Sequence, residues 1–338
     1  MPVPSSGQVK ISDLVAEFGG TAPHAMSEYY RNGGNVPSNN TNVPTSGAFG
    51  LSNARGAVNE IAVAATSGTN VDLSSLFGGN WTSTIPKRLT IASGVTIGGT
   101  GSSAALIIPS NMAGTLEIDN AGSILGFGGA ANSGAGGHAI SNSTSGVTIN
   151  NTGLVAGGGG GGGLGGTGGN GTATVTTTST RNAVYGGSTW RWTTGSWSGV
   201  GSWTHPGGST SKSFGGHTFQ RGSYAGSIGE AAYWTIIGNI VSTVSTTGGS
   251  GGSSGIGQGY NISRTLGQAG AAGGTNAGSG GYGGNGGVYG QAGGTGSSGA
   301  NGNASSGLGG ASGGAAGAAV TGTSVTMNNT GTLYGAVA

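Results

Sequence analysis

Apolar positions come in short bursts, and their spacing changes character along the chain. In residues 1–60 three segments read as amphipathic helical turns: Ser12 to Gly19, Ser27 to Arg31 and Ser52 to Gly56. Ser12 suits an N-cap, and Gly19 suits a left-handed C-terminal stop. The lead-ins repeat, since Ser6-Gly7-Gln8-Val9-Lys10-Ile11-Ser12 matches Ser46-Gly47-Ala48-Phe49-Gly50-Leu51-Ser52. Each predicts a short alternating strand feeding a capped turn. So small a unit is expected not to bury a core of its own, and so to pack on a partner or a sister chain. Val9, Ile11, Leu14, Phe18, Tyr29, Tyr30, Phe49 and Leu51 are the docking candidates. The Pro/Asn-rich stretch from Val36 to Thr45 reads as a linker.

From residue 61 the pattern turns to period two. Val71-Asp72-Leu73 and Leu89-Thr90-Ile91 alternate, and Ala104 to Ile108 is a buried-type run closed by Pro109. A unit then recurs: Ile118-Asp119-Asn120-Ala121-Gly122, Ile149-Asn150-Asn151-Thr152-Gly153 and Met327-Asn328-Asn329-Thr330-Gly331. Each leads through an apolar pair into glycine. The reading is strand, Asn-x-Gly turn, strand, with Asn and Gly supplying positive φ. Recurrence predicts stacked rungs or hairpins.

A third period then takes over. Glycine occupies every third position from Gly278 through Gly302, and Leu164, Thr167 and Asn170 are the non-glycine members of a Gly-Gly-x run. Period three belongs to polyproline-II-type helices rising ~3.1 Å per residue, so Gly278 to Gly302 fully extended would span roughly 75 Å. Collagen shares the period, but residues 207–338 contain no proline. The expectation is a bundle of polyglycine-II helices whose bare faces pack closely and bond sideways through peptide groups. A flexible Gly/Ser linker is the bland alternative. An aromatic-rich β insertion, residues 172–247, interrupts the tracts and carries Trp190, Trp192, Trp197, Trp203, His205 and Tyr224.

Composition decides how seriously to take this. There are 83 Gly in 338 residues, and charged residues make up only 5%. Disordered chains usually stay dissolved through charge, so a packed, extended assembly part fits better than disorder. Net charge is +2 and the basic residues are scattered, which argues against nucleic acid. No cysteine is present. The start, Met1-Pro2-Val3-Pro4, has no basic or apolar leader region, and no apolar run of about 18 residues exists, so neither Sec export nor a membrane span is expected. Candidate chemistry is thin. Accidental GxGxxG matches follow no strand that opens a helix. Lys212 lacks the glycine a phosphate loop needs before it, and His24, His138, His205 and His217 are dispersed. Glu117 and Asp119 share a strand face, where a solvated β face is the simpler reading. No enzyme activity, metal or cofactor is expected. The tryptophans have two readings, as anchors for recognition or as the insertion's own small core.

With these residues in view, the chain resembles the glycine-rich tail fibre and tail-tip proteins of tailed phages. The resemblance rests on the Ser-Gly start, on Tyr29-Tyr30-Arg31-Asn32-Gly33-Gly34-Asn35-Val36-Pro37, on Val147 to Gly163, and on Gly313 to Val320 with Leu333 to Val337. It is weakest over residues 172–247. The tip adhesins of T-even-like phages are the nearest in style; there, glycine helices stack into a sandwich whose loops bind an outer-membrane receptor. The amino end departs from that family's attachment domain. The resemblance implies a virion tail protein, released by lysis, that binds a host outer-membrane protein or surface glycan and docks on other tail or baseplate proteins through residues 1–60. A homotrimer would cover the thin amino-terminal repeats, while a glycine sandwich is compatible with a monomer. A purely structural tail, baseplate or decoration protein and a bacterial surface adhesin are the alternatives. The expected fold is mostly β and irregular: docking repeats in 1–60, a β-rich region in 61–155, and a glycine scaffold in 156–338 around the insertion.

Overall fold

A computed structural model describes the backbone of residues 3–186, 189–192, 203–204, 211–214, 217–228 and 231–338, and side chains outside 179–240. The amino-terminal unit does bury a core: Val3, Val9, Leu14, Phe18, Tyr29, Val36, Val43, Ala54 and Ala57 form one closed cluster. This corrects the expectation that it could not. The presumed linker makes the difference, because Val36 and Val43 belong to the cluster and Asn40 exchanges two 2.9 Å hydrogen bonds with the backbone of Val58. Helix α1 (Ile11–Phe18) is the one α-helical turn of the three; residues 26–29 and 51–54 form tighter 3-10 turns. The lead-ins form no strand. They match in their cap: Asp13 accepts from the Lys10 N–H at 2.8 Å, as Asn53 does from Gly50 at 3.0 Å. Lys10, and not Ser12, is therefore the N-cap, while Gly19 ends the helix at φ 70°.

The strands of residues 61–156 and 320–334 are built in turns of three. β1 (Ile61–Ala64), β2 (Gly68–Thr69) and β3 (Val71–Asp72) make the first rung. α2 (Leu73–Phe77), capped by Asp72, lies between it and the second rung. β4 (Lys87–Ile91), β5 (Thr96–Gly98) and β6 (Leu106–Ile108) make the second, and β7 (Leu116–Asn120), β8 (Ser123–Leu125) and β9 (Ile140–Asn142) the third. β10 (Val147–Asn151) and β11 (Leu154–Ala156) open the fourth. The chain then leaves for the antiparallel strands β12 (Gly171–Gly186), β13 (Thr189–Trp192), β14 (Trp203–Thr204), β15 (Ser211–Phe214), β16 (His217–Ile228) and β17 (Ala231–Thr246). It returns at β18 (Val320–Gly322) to finish the fourth rung, and β19 (Thr326–Asn329) with β20 (Thr332–Tyr334) begins a fifth.

Every pairing between rungs is parallel and runs from one repeat to the next, which is the rung arrangement and not the hairpin one. In-register stacking sends like residues inward. Leu89, Ile118, Ile149 and Met327 form one ladder, Ile97, Ile124, Val155 and Leu333 a second, and Leu106, Ile140 and Val320 a third. These ladders fill a core closed by Leu73, Phe77 and Trp81.

The Asn-x-Gly corners work differently from the sequence expectation. None of Asn120, Asn151 and Asn329, and none of Gly122, Gly153 and Gly331, has positive φ. The asparagines stack: Asn120 Nδ2 donates to Asn151 Oδ1 at 2.7 Å, and Asn151 Nδ2 to Asn329 Oδ1 at 2.6 Å. The glycines are required by the rung beneath, since a Cβ on Gly153 would overlap the Gly122 carbonyl and one on Gly331 the Gly153 carbonyl.

The glycine-rich segments, all outside helix and strand, form a bundle around residues 157–170. The N–H groups of this central segment turn through three directions. Gly158 and Gly161 donate to Gly137 and Gly134; Gly159, Gly162, Gly165 and Gly168 to residues 258, 255, 252 and 249; and Gly160, Gly163, Gly166 and Gly169 to residues 291, 294, 297 and 300. Its carbonyls accept from Gly278, Gly281, Gly284 and Gly287, and from Leu308, Ala311, Gly314 and Gly317. The run from Gly278 to Gly302 is not one extended piece. It reverses at Gly290, φ 67°, into two antiparallel halves bonded Ser297 to Tyr282 and Ala300 to Ser279.

Candidate functional site

The central segment leaves the rungs after β11 and runs through the bundle to meet β12 at its far end. At that far end two turns clasp the root of the antiparallel sheet. The Thr172 N–H donates to Asn303 Oδ1 at 2.7 Å, and its carbonyl accepts from Asn276 Nδ2 at 3.0 Å and Asn303 Nδ2 at 3.2 Å. Thr246 Oγ1 donates to the Thr275 carbonyl at 2.6 Å, and Asn170 Oδ1 accepts from Gly248 at 3.2 Å. The sequence pattern marks Asn170 only as a member of the Gly-Gly-x run and singles out neither Asn276 nor Asn303. Their signal was present: each is an asparagine where a glycine tract stops, and Asn276 takes the left-handed φ of 59° that favours Asn in turns.

Beyond the root stands a six-stranded antiparallel sheet in the order β14-β13-β12-β17-β16-β15. β12 and β17, 16 residues each, would reach about 50 Å. The register sets Trp203 opposite Trp190 and Trp190 opposite Tyr185. It sets Trp192 opposite Ala183, Ala183 opposite Trp234, and Trp234 opposite Tyr224. Trp190, Trp192 and Trp203 thus fall on the neighbouring strands β13 and β14, and Tyr224 on β16 of the same sheet, with β12 and β17 between; Trp197 and His205 lie outside the described residues.

The docking candidates divide by burial. Val9, Leu14, Phe18 and Tyr29 belong to the amino-terminal core, where the Tyr29 hydroxyl donates to the Gly19 carbonyl at 2.8 Å. Burial, with Glu28 beside it, raises the Tyr29 pKa. Ile11 is exposed, and Tyr30, Phe49 and Leu51 are half-buried, with the Tyr30 and Phe49 rings tilted against each other at 5.7 Å.

The charged groups on the outer face of the first sheet are paired with one another. Arg88 reaches Glu60 at 3.0 Å, Glu117 at 2.8 Å and Asp119 at 2.6 Å. Asn150 Nδ2 donates to Glu117 Oε1 at 2.6 Å and Asp119 Oδ1 at 2.8 Å. Burial alone would raise the Asp119 pKa, but the bonds from Asn150 and Arg88 outweigh it and lower the value. A carboxylate held ionised by an arginine and an amide is a structural ladder and a poor proton donor. Among the described residues no group of three or more His, Cys, Asp and Glu could hold a metal, and no helix is long and apolar enough to cross a membrane. A groove of about 310 Å³ beside Arg264, Val288 and Gln291 lies at the rung end of the bundle, where Arg264 Nε already donates to the Gly286 carbonyl at 2.6 Å.

Residues 59–244, more than half the chain, match the family model described as phage tail fibre adhesin Gp38. Among solved structures, the chain is similar to one in the gp37–gp38 adhesin tip complex of the bacteriophage S16 long tail fibre. The identity is 19% over 97% of each chain, with a TM-score of 0.36. No curated protein matches.

Proposed function

Because the chain belongs to the phage tail fibre adhesin Gp38 family, we propose how its parts divide the work of a receptor-binding tail adhesin. The antiparallel sheet and the turns at the far end of the glycine bundle face the host, and the amino-terminal unit faces the tail. The observation that carries this reading is the clasp of Asn276 and Asn303 on Thr172, which roots the sheet at the end of the bundle away from the rungs. A root held by side chains from two separate turns gives the sheet a defined direction. Within the sheet, the rows containing Trp190, Trp192, Trp203 and Tyr224 are the receptor-binding candidates, joined by Trp197 and His205 from the same insertion. Aromatic residues offer large contact area at low entropic cost. On the tail side, Ile11, Tyr30, Phe49 and Leu51 are the docking candidates that reach the surface.

The bundle is the lever between these ends, and we read its segments as polyglycine-II helices. Support comes from N–H groups that bond a neighbouring segment every third residue and from clashes that a Cβ would make with backbone atoms on packed faces. The attachment role needs no catalytic group.

The test is competition. Purified protein should bind host cells and block phage adsorption. Replacing residues 172–247 by a short turn should abolish both and leave the bundle folded, because residues 157–170 and 248–258 are already antiparallel neighbours. If the shortened chain competes as well as the full one, the host-facing assignment fails.

A further inference from the structure

Between the bundle and the wide part of the sheet, the ribbon has only two strands. β12 and β17 pair from Gly171↔Thr246 onward. β13 reaches β12 only at residues 183–186, and β16 reaches β17 only as far as Asn239. Among the described residues, Val241–Thr246 therefore has no strand on its outer side. Residues 174–178 and 241–245 are all exposed, Val241 at 60% and Val244 at 42%. A bare two-stranded ribbon is marginal in water.

The direction of the edge groups follows from the clasp. Both backbone groups of Thr172 are bonded to Asn303 and Asn276, so they point away from β17. In antiparallel pairing both groups of a residue point to one side, alternate residues alternate, and a pair that does not exchange bonds points outward on both strands. Ser245, opposite Thr172, therefore points its N–H and C=O out of the other edge, as do Thr243 and Val241. Proteins guard such edges with lysine, proline or bulges. Val241-Ser242-Thr243-Val244-Ser245-Thr246 has no lysine or proline, and its pairing with β12 runs without a bulge.

We propose that this edge takes one extended peptide strand from a protein on the host surface, adding to the sheet by backbone pairing. The proposal rests on the receptor-binding reading and names its partner chemistry. Three outward residues present donor and acceptor together every roughly 7 Å along the strand. That repeat is complemented by another extended backbone, whose own donor and acceptor recur together at the same spacing. The edge also continues one already in use, since β16 pairs antiparallel on the same side of β17 from Asn239 upward. The six open residues match an ordinary strand length of about five or six.

The experiment uses the full chain and outer-membrane vesicles from the host. Val241→Pro with Thr243→Pro deletes two outward N–H groups and leaves the inward bonds of Ser242 and Val244 to β12 in place, as edge strands tolerate. Vesicle affinity should fall about tenfold or more with unchanged melting. In the wild-type protein, the amides of Val241, Thr243 and Ser245 should exchange more slowly with vesicles bound, a readout independent of how the variant folds. Unprotected amides in a bound adhesin would overturn the proposal, as would undiminished binding to protease-shaved vesicles, which points to glycan. Failure of the wild-type chain to bind host vesicles at all would instead bring down the receptor-binding reading beneath it.

Discussion

Lys87 shows how much one residue can carry in a chain with so few charges. It is about 1% exposed and has no carboxylate partner among the described residues; its ammonium donates to the carbonyls of Ser83 at 2.6 Å, Ala113 at 2.7 Å and Ile85 at 3.1 Å. Three carbonyls from two connections meet on one side chain, so it ties the corner of the second rung to the approach of the third. Lys87→Met keeps the volume but strands three acceptors, and should cost about 2–4 kcal/mol in chemical denaturation. Burial lowers the Lys87 pKa below its ordinary 10.5. The folded state then binds fewer protons than the unfolded state between the lowered value and 10.5. The Lys87 contribution to stability therefore rises with pH through that window and is level below it. The stability difference between wild type and Lys87→Met, followed by denaturant titration up to pH 10.5, should widen accordingly. Asp119 has the opposite limb. Its pKa is lowered from 3.8, so its stabilisation is present above 3.8 and is lost as pH falls through the folded value. Asp119→Asn should flatten that acid limb in thermal melts.

At the scale of elements, neighbours explain the glycine pattern. Gly157–Gly163 are all buried, because six segments surround the chain there. The shortest pair, residues 126–130 and 134–137, lies over Gly158 and Gly161, where a Cβ would overlap the carbonyls of Phe127 and Ala130. Past the tip of that pair the same direction is open, and there the sequence changes to Leu164, Thr167 and Asn170, all exposed. Seven glycines in a row and a Gly-Gly-x run are therefore one segment with six neighbours and then fewer. Gly160→Ala should destabilise the protein by about 3 kcal/mol or more, through overpacking of backbone on backbone. Leu164→Ala should stay within about 0.5 kcal/mol, and paired melting curves would separate the two. The asparagine ladder is the second element-scale device. Asn120 and Asn151 are buried, and the ladder begins at Asn120 because Ile91 lies beneath it. Asn151→Leu would leave the Asn120 amide and the Asn329 oxygen without their ladder partners. A loss of about 1–3 kcal/mol is expected in denaturant titration.

For the whole molecule, the decisive fact is that the rungs enclose the bundle in sequence. β9 pairs β18, with Ile140 beside Val320 and Asn142 beside Gly322, so the fourth rung closes only after the bundle has been traversed. Contacts of that separation slow folding. The amino-terminal cluster closes within residues 3–57. Pulse-labelled exchange during refolding should protect amides of the amino-terminal unit before those of Gly157–Gly169. Simultaneous protection would contradict this order.

Several features were readable along the chain itself. The recurring Ile-x-Asn-x-Gly unit pointed to repeats, including the distant copy at Met327, because stacked rungs demand the same residue at the same level. Period-three glycine pointed to closely packed backbone segments, because a Cβ facing a backbone neighbour must clash. Both signals are local consequences of packing and are written in neighbouring residues. Other features depended on partners far apart in sequence. The Val36–Thr45 stretch looked like a linker until Asn40 met Val58 and Val43 joined the core. Gly290 looked like one member of an unbroken series until its φ turned the chain back. The corner asparagines looked like turn formers, yet they bond to one another across rungs. The clasp on Thr172 joins residues more than a hundred positions apart, and no periodicity announces it. Period and composition determined what kind of material this chain is. Only the tertiary structure decided which segments face each other, because hydrogen bonds between separated backbones leave no mark on the order of residues.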